Sequence, residues 1–138
     1  MAYSILMVSV WFHIFGFYIN SATRLRWTGS NDRWTASGEI WADDHVATSD
    51  IRVKDNLERI DNALDKIAKL TGFTYDQTRL KQRKAGIIAQ DVEQVLPEAI
   101  SKDEEGTLSV SPMAILGLLV NAVNDLSKQV KELQNGNV

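Results

Sequence analysis

Apolar residues run almost unbroken from Ile5 to Ile19. Val, Ile, Phe, Trp and Tyr dominate the run, and these residues pack well on a pleated surface, so it is read as strand. Two other readings compete. A membrane helix needs about 20 consecutive apolar residues, and this run is shorter and interrupted by Ser9, His13 and Gly16. A secretory signal peptide fits the length, with small Ser21-Ala22 behind it, but no basic residue precedes it. From Phe17 onward the pattern alternates. Phe17, Ile19, Ser21, Thr23 and Leu25 interleave with Tyr18, Asn20, Ala22, Arg24 and Arg26, the period of an extended chain. Gly29-Ser30-Asn31-Asp32 is a turn signal, and Ser37 to Ala42 reads as another short strand.

Past Ala47 the period lengthens. Asp55 and Asn56 are expected to start a helix whose apolar face is Leu57, Ile60, Leu64 and Ile67, with Gly72 as its C-terminal cap. Phe73 to Tyr75 suggests a short strand. The polar and basic run Gln77 to Lys84 reads as a solvated hairpin or protrusion in preference to a nucleic-acid arm. Gly86 to Ala89 is expected to be a buried strand. Gln90 to Leu96 is read as a short helix stopped by Pro97, Ser101 to Gly106 as a loop, and Leu108 to Val110 as a strand. In the final segment Leu116, Leu119, Val123, Leu126, Val130 and Leu133 fall at alternating spacings of three and four. Those are a and d positions of a heptad pattern. A helix packed on its own core shows a similar pattern. The narrow stripe, with polar Ser127 and Gln134 beside it, favours partner helices instead.

Composition narrows the chemistry. The 138 residues allow one domain plus an appendage, and 44% hydrophobic with 24% charged residues is a globular balance. A net charge of -3 argues against a protein that lives by binding phosphate backbones. The sequence has no cysteine and two histidines, His13 and His45. A disulfide framework, a thiol nucleophile and a cysteine-ligated metal are therefore excluded, and no metal or other cofactor is expected. Trp27, Trp34 and Trp41 recur every seven residues. They could stack on bases or sugars, but with no basic patch beside them they read as aromatic packing along an elongated β structure.

One cluster carries candidate chemistry. Ser49-Asp50-Ile51-Arg52-Val53-Lys54 lies between the β-rich and helical parts. A serine needs a base to remove its proton, and a lysine amine can serve if burial or a nearby cation favours its neutral form. Strand-like spacing would put Arg52 and Lys54 on one face, with Arg52 supplying the nearby charge. On spacing alone the preferred reading of the cluster is a solvated loop with surface charges.

The ordered set of motifs is more specific. Ser-Asp-x-Arg-x-Lys, a helix, Tyr75, Gly-Ile-Ile-Ala-Gln-Asp-Val-Glu at 86–93, Leu96-Pro97-Glu98-Ala99 and a terminal amphipathic helix follow one another. From about Ser49 to Leu133 the chain resembles the intramolecular chaperone auto-processing domain, also called the S74 peptidase domain. That domain ends phage tail fibres, tailspikes and endosialidases. Two positions depart from the family pattern: Asp91 stands where Glu is usual, and Ser111-Pro112 where an aromatic often precedes the last helix.

The resemblance implies an α+β fold in an intertwined homotrimer. Residues 1–48 would be the β-rich end of a fibre or tip, its apolar run buried between three chains. Residues 49–138 would be a mixed α/β chaperone domain ending in a long amphipathic helix. The resemblance further implies trimerisation and folding of the preceding fibre segment, then a single self-cleavage at Thr48-Ser49 by a Ser49–Lys54 dyad. Asp50, Arg52, Gly86, Gln90 and Glu93 match motif positions in supporting places, and Leu116, Leu119, Val123, Leu126, Val130 and Leu133 would form the trimer seam. The implied setting is a virion tail fibre assembled in the host cytoplasm, with a host surface receptor as the mature fibre's partner and the chaperone part released. No nucleic-acid partner and no membrane insertion are expected. A structural trimerisation foot that never cuts, and a secreted binding module led by the Ile5–Ile19 run, are the competing classes.

Overall fold

The computed structural model describes residues 6–7, 14–19, 22–28, 33–36, 39–78 and 80–136. Contacts within the chain fall into two units, Met1–Ser49 and Asp50–Val138.

The first unit contains a four-stranded antiparallel sheet in chain order: β1 (Leu6–Met7), β2 (Ile14–Ile19), β3 (Ala22–Thr28) and β4 (Arg33–Ala36). The strand reading of the apolar run holds at β1 and β2; Ile5 and residues 8–13 lie outside the described residues, as does the turn signal at 29–32. Trp27 and Trp34 face each other across β3 and β4, while Trp41 stands in irregular, exposed chain. The expected strand at Ser37–Ala42 is a correction. The fourth strand is Arg33–Ala36, and Glu39 to Ala42 is irregular. Pairing of Arg33 with Thr28 and Ala36 with Leu25 uses the earlier residues; residues 37–38 lie outside the described residues.

The second unit opens with a 3₁₀ turn at Ile51–Val53 and then runs irregularly to α1 (Ala63–Ala68). The helix expected from Asp55 therefore starts eight residues late. Asn56 and Asn62 both adopt positive φ, 50° and 51°. Asparagine tolerates that conformation, and it breaks a helix. Ile60 still packs against the core, and its carbonyl accepts a hydrogen bond from Asn121 Nδ2 at 3.2 Å. Gly72 is not the cap. Lys69 ends α1, and Gly72 begins β5 (Gly72–Gln77).

β5 pairs with β6 (Gln82–Ile87) in an antiparallel hairpin, as read for the polar run. Lys81 turns the chain at φ 51° and donates its N–H to the Gln77 carbonyl at 2.7 Å. The strand expected at Gly86–Ala89 ends at Ile87, which is half-buried; Ile88 is exposed and Ala89 already begins α2. α2 (Ala89–Val95) ends at Leu96, where Pro97 opens a 3₁₀ turn. β7 (Ile100–Lys102) and β8 (Leu108–Val110) form a small hairpin. α3 (Pro112–Gly136) closes the unit. Proline suits a first helical position, and Ser111 Oγ accepts from the Ala114 N–H at 3.5 Å, so Ser111-Pro112 starts the helix without an aromatic.

The core is small. Val92 and Val95 of α2, Leu96, Ala99, Ala63 of α1, and Leu118 and Ala122 of α3 are buried, and of these only Val92 and Leu118 are large side chains below 2% exposure. α1 packs along α3, and Ala114 and Ile115 extend the contact. The a/d stripe lies elsewhere on α3. Leu116, Leu119, Val123, Leu126, Val130 and Leu133 are 42–69% exposed. With 3.6 residues per turn the stripe is rotated by roughly 90° from the buried face. No helix among the described residues is long and apolar enough to cross a membrane.

Candidate functional site

Ser49 is the last residue of the first unit, Asp50 to Lys54 open the second, and all six are exposed. Asp50 caps the 3₁₀ turn. Its Oδ1 accepts the Arg52 backbone N–H at 2.8 Å. The same oxygen accepts Arg52 Nε at 2.9 Å, and Oδ2 accepts Nη2 at 2.7 Å. This is a bidentate guanidinium–carboxylate pair, the geometry that makes such contacts directional as well as attractive. Two backbone bonds complete the turn, Val53 N–H to the Asp50 carbonyl at 3.2 Å and Lys54 N–H to the Ile51 carbonyl at 3.1 Å.

The pair has an electrostatic signature. Hydrogen bonds from the Arg52 side chain, then from its backbone N–H, hold the Asp50 carboxyl below the usual aspartate range. Asp50 in turn raises Arg52 above its ordinary value. Two expectations about Arg52 are corrected by this. It does not share a strand face with Lys54, because residues two apart in a 3₁₀ turn point about 120° away from each other. Its charge is matched by Asp50 and is not aimed at the lysine. Asp50, for which motif matching assigned no derived role, is the residue that organises the turn. Its signal in the sequence was an aspartate at a capping position with an arginine two residues on.

The other motif residues sit further along the same unit. Gly86 lies opposite Phe73 in the hairpin. A methyl group there would sit 3.5 Å from the Tyr75 hydroxyl and 3.6 Å from its ring, ordinary contact distances, so Tyr75 lies beside this position without requiring a glycine. Gln90 and Glu93 are on the exposed side of α2, with Val92 and Val95 turned inward. A surface groove of the second unit lies elsewhere. It is lined by Arg59, Asp61, Asp65, Asp125, Lys128 and Glu132 among others, and includes none of residues 48–54. No cluster of metal-ligating side chains occurs among the described residues.

Residues 49–101 match the model of the S74 peptidase family, described as the chaperone of endosialidase. Over these residues the chain is similar to that family. The chaperone-family match begins at Ser49, where the contacts within the chain also divide it. Individual proteins match over longer stretches. The chain is 45% identical over 96 residues to the long tail fiber protein Gp37 of Enterobacteria phage K3, covering 63% of this chain and 8% of that protein. It is 40% identical over 96 residues to Gp37 of Enterobacteria phage M1, covering 62% of this chain and 38% of that protein. With Gp37 of Salmonella phage S16 it shares 29% identity over 106 residues, covering 64% and 14%. The chain thus corresponds to well under half the length of these tail-fibre proteins.

Proposed function

We propose that this chain is the chaperone-bearing end of a phage tail fibre, and that it assembles as a homotrimer through α3 and folds the fibre segment that precedes it. The observation that carries this reading is the exposed a/d stripe of α3. A unit with so small a core does not leave six large apolar residues along one helix in water without a use for them. Tail-fibre relatives and the chaperone family supply the context. The stripe also supports a second reading of the number of chains. Val123 and Val130 at a with Leu119, Leu126 and Leu133 at d is a combination that favours two strands. Exposed Met113 and Val120 widen the stripe at its start, which suits three.

After assembly, in this reading, Ser49 and Lys54 release the chaperone segment, 49–138, from the fibre end, 1–48. Lys54 Nζ takes the proton from Ser49 Oγ as the oxygen attacks the Thr48 carbonyl carbon. The Thr48–Ser49 peptide bond breaks, the proton passes to the departing Ser49 amine, and the acyl group rests as an ester on Ser49 Oγ. Water then hydrolyses the ester. The attacked carbonyl belongs to the same chain or to a neighbour. A lysine that works as a base must be neutral, and neutrality needs exclusion from water. Since residues 49–54 are exposed in the single chain, neighbouring chains would provide that exclusion, so cutting would follow assembly. The mature fibre would then meet a host surface receptor. The same exposure supports the alternative of a trimerisation foot that does not cut.

Intact mass and light scattering on freshly purified full chain test both parts. The expected result is an oligomer whose mass spectrum shows a new N-terminus at Ser49. Ser49→Ala and Lys54→Arg should give full-length oligomers, since alanine has no hydroxyl and arginine does not deprotonate. A monomer refutes the chaperone reading. An oligomer that stays uncut establishes the structural foot instead.

A further inference from the structure

The Ile51–Val53 turn buries none of its residues. Ordering a three-residue turn exposed to water costs backbone entropy at every residue. Its two backbone bonds, at 3.1 and 3.2 Å, are a thin return. What singles it out is the Asp50 carboxylate, which takes three donors from Arg52, two from the guanidinium and one from the backbone.

The turn also lies on the path between the two dyad residues. Lys54 is five residues after Ser49, and an extended chain would place them about 17 Å apart. A nucleophile and its base must approach to about 3 Å. A 3₁₀ turn rises about 2 Å per residue instead of 3.3 Å, so folding residues 51–53 draws Lys54 back toward the start of the segment. The chain must pass through such a conformation before the dyad can close.

We propose that Asp50 and Arg52 are positioning residues for the Ser49–Lys54 reaction: their bidentate pair pre-folds the turn in each chain, so that assembly meets a shortened segment and not a free one. This rests on the self-cleavage reading above. Neither side chain takes part in bond breaking. The pair acts by limiting the conformations that Lys54 must search, and the capping bond to the Arg52 N–H and the guanidinium fork act as one unit.

The test is a double-mutant cycle on the full chain, with cleavage rate expressed per assembled oligomer so that assembly defects do not enter. Asp50→Asn keeps a capping oxygen and loses the charged fork; Arg52→Gln loses the fork from the other side. Each should slow cleavage about fivefold, the scale of an exposed ion pair. The double variant should be no slower than the slower single, because the two residues share one interaction. Arg52→Lys, with charge but no fork, should fall between wild type and Arg52→Gln. High salt should slow wild type toward the Asp50→Asn rate and leave that variant nearly unchanged. Wild-type rates in both single variants overturn the proposal, as does a double variant whose slowing is the product of the two. Failure of the unsubstituted oligomer to split refutes the self-cleavage reading itself, and the positioning role with it; that result is distinct because it appears without any substitution.

Discussion

Two leucines on α3 should behave in opposite ways when shortened, and the comparison tests whether the helix serves two masters. Leu118 is 0% exposed and packs with Val92 and Ala63 in the core of the second unit. Leu118→Ala removes buried methyl groups and leaves a cavity, which costs about 2–5 kcal/mol. With so few large buried side chains, that loss should melt the unit at every protein concentration. Leu126 is 50% exposed. Fully burying a leucine is worth about 1.5–3 kcal/mol, so about 1 kcal/mol per chain is left for a partner to collect. In a three-chain assembly Leu126→Ala should therefore weaken association by about 3 kcal/mol, roughly a hundredfold in the assembly constant. The fold of the isolated chain should be almost untouched. The assay is a dilution series followed by light scattering and circular dichroism on both variants. Leu126→Ala should move the dissociation midpoint to higher concentration while its helical signal at high concentration matches wild type. Leu126→Asp should do the same more severely, because it places a charge in the seam. An unchanged dissociation midpoint for Leu126→Ala and Leu126→Asp would show that the exposed stripe is not an interface.

Two further expectations concern the β7–β8 turn. Gly106 has φ +85°, a conformation costly for any residue with a Cβ, so Gly106→Ala should lower stability by about 1 kcal/mol in urea titrations. The Asp103 carboxyl is held below the usual aspartate range, chiefly by the Thr107 backbone N–H, with those of Glu105 and Gly106 also contributing. A carboxyl depressed in the folded state contributes stability that is fully present above its unfolded value and lost as pH falls through its lower folded value. The stability advantage of wild type over Asp103→Asn should therefore be constant near neutral pH and shrink on acidification below the ordinary aspartate range; an advantage that grows there would contradict the assignment. Asp50 carries the same sign.

Much of the second unit was legible because its signals are local. The polar run Gln77–Lys84, read as a hairpin or protrusion, is where β5 and β6 turn back on each other, Pro97 marked the end of α2, and the three-four spacing from Leu116 to Leu133 marked α3. The serine–lysine cluster was legible only as part of an ordered motif set, since a serine five residues before a lysine is common by itself. Sequence alone could not say which side of α3 faces its own chain. Heptad spacing and core packing share nearly the same period, and only the burial of Leu118 and Ala122, with Leu116 and Leu126 left outside, separates the two stripes. The late start of α1 was equally hidden. Leu57, Ile60, Leu64 and Ile67 have helical spacing, but Asn56 and Asn62 turn left-handed where Ile60 must reach the core and bond to Asn121, a long-range demand that overrides local propensity. Arg52 shows the same limit at the candidate site. The sequence determined that a cation stands two residues from Lys54; the tertiary structure decided that this cation pairs with Asp50, because a capped turn brings carboxylate and guanidinium into register.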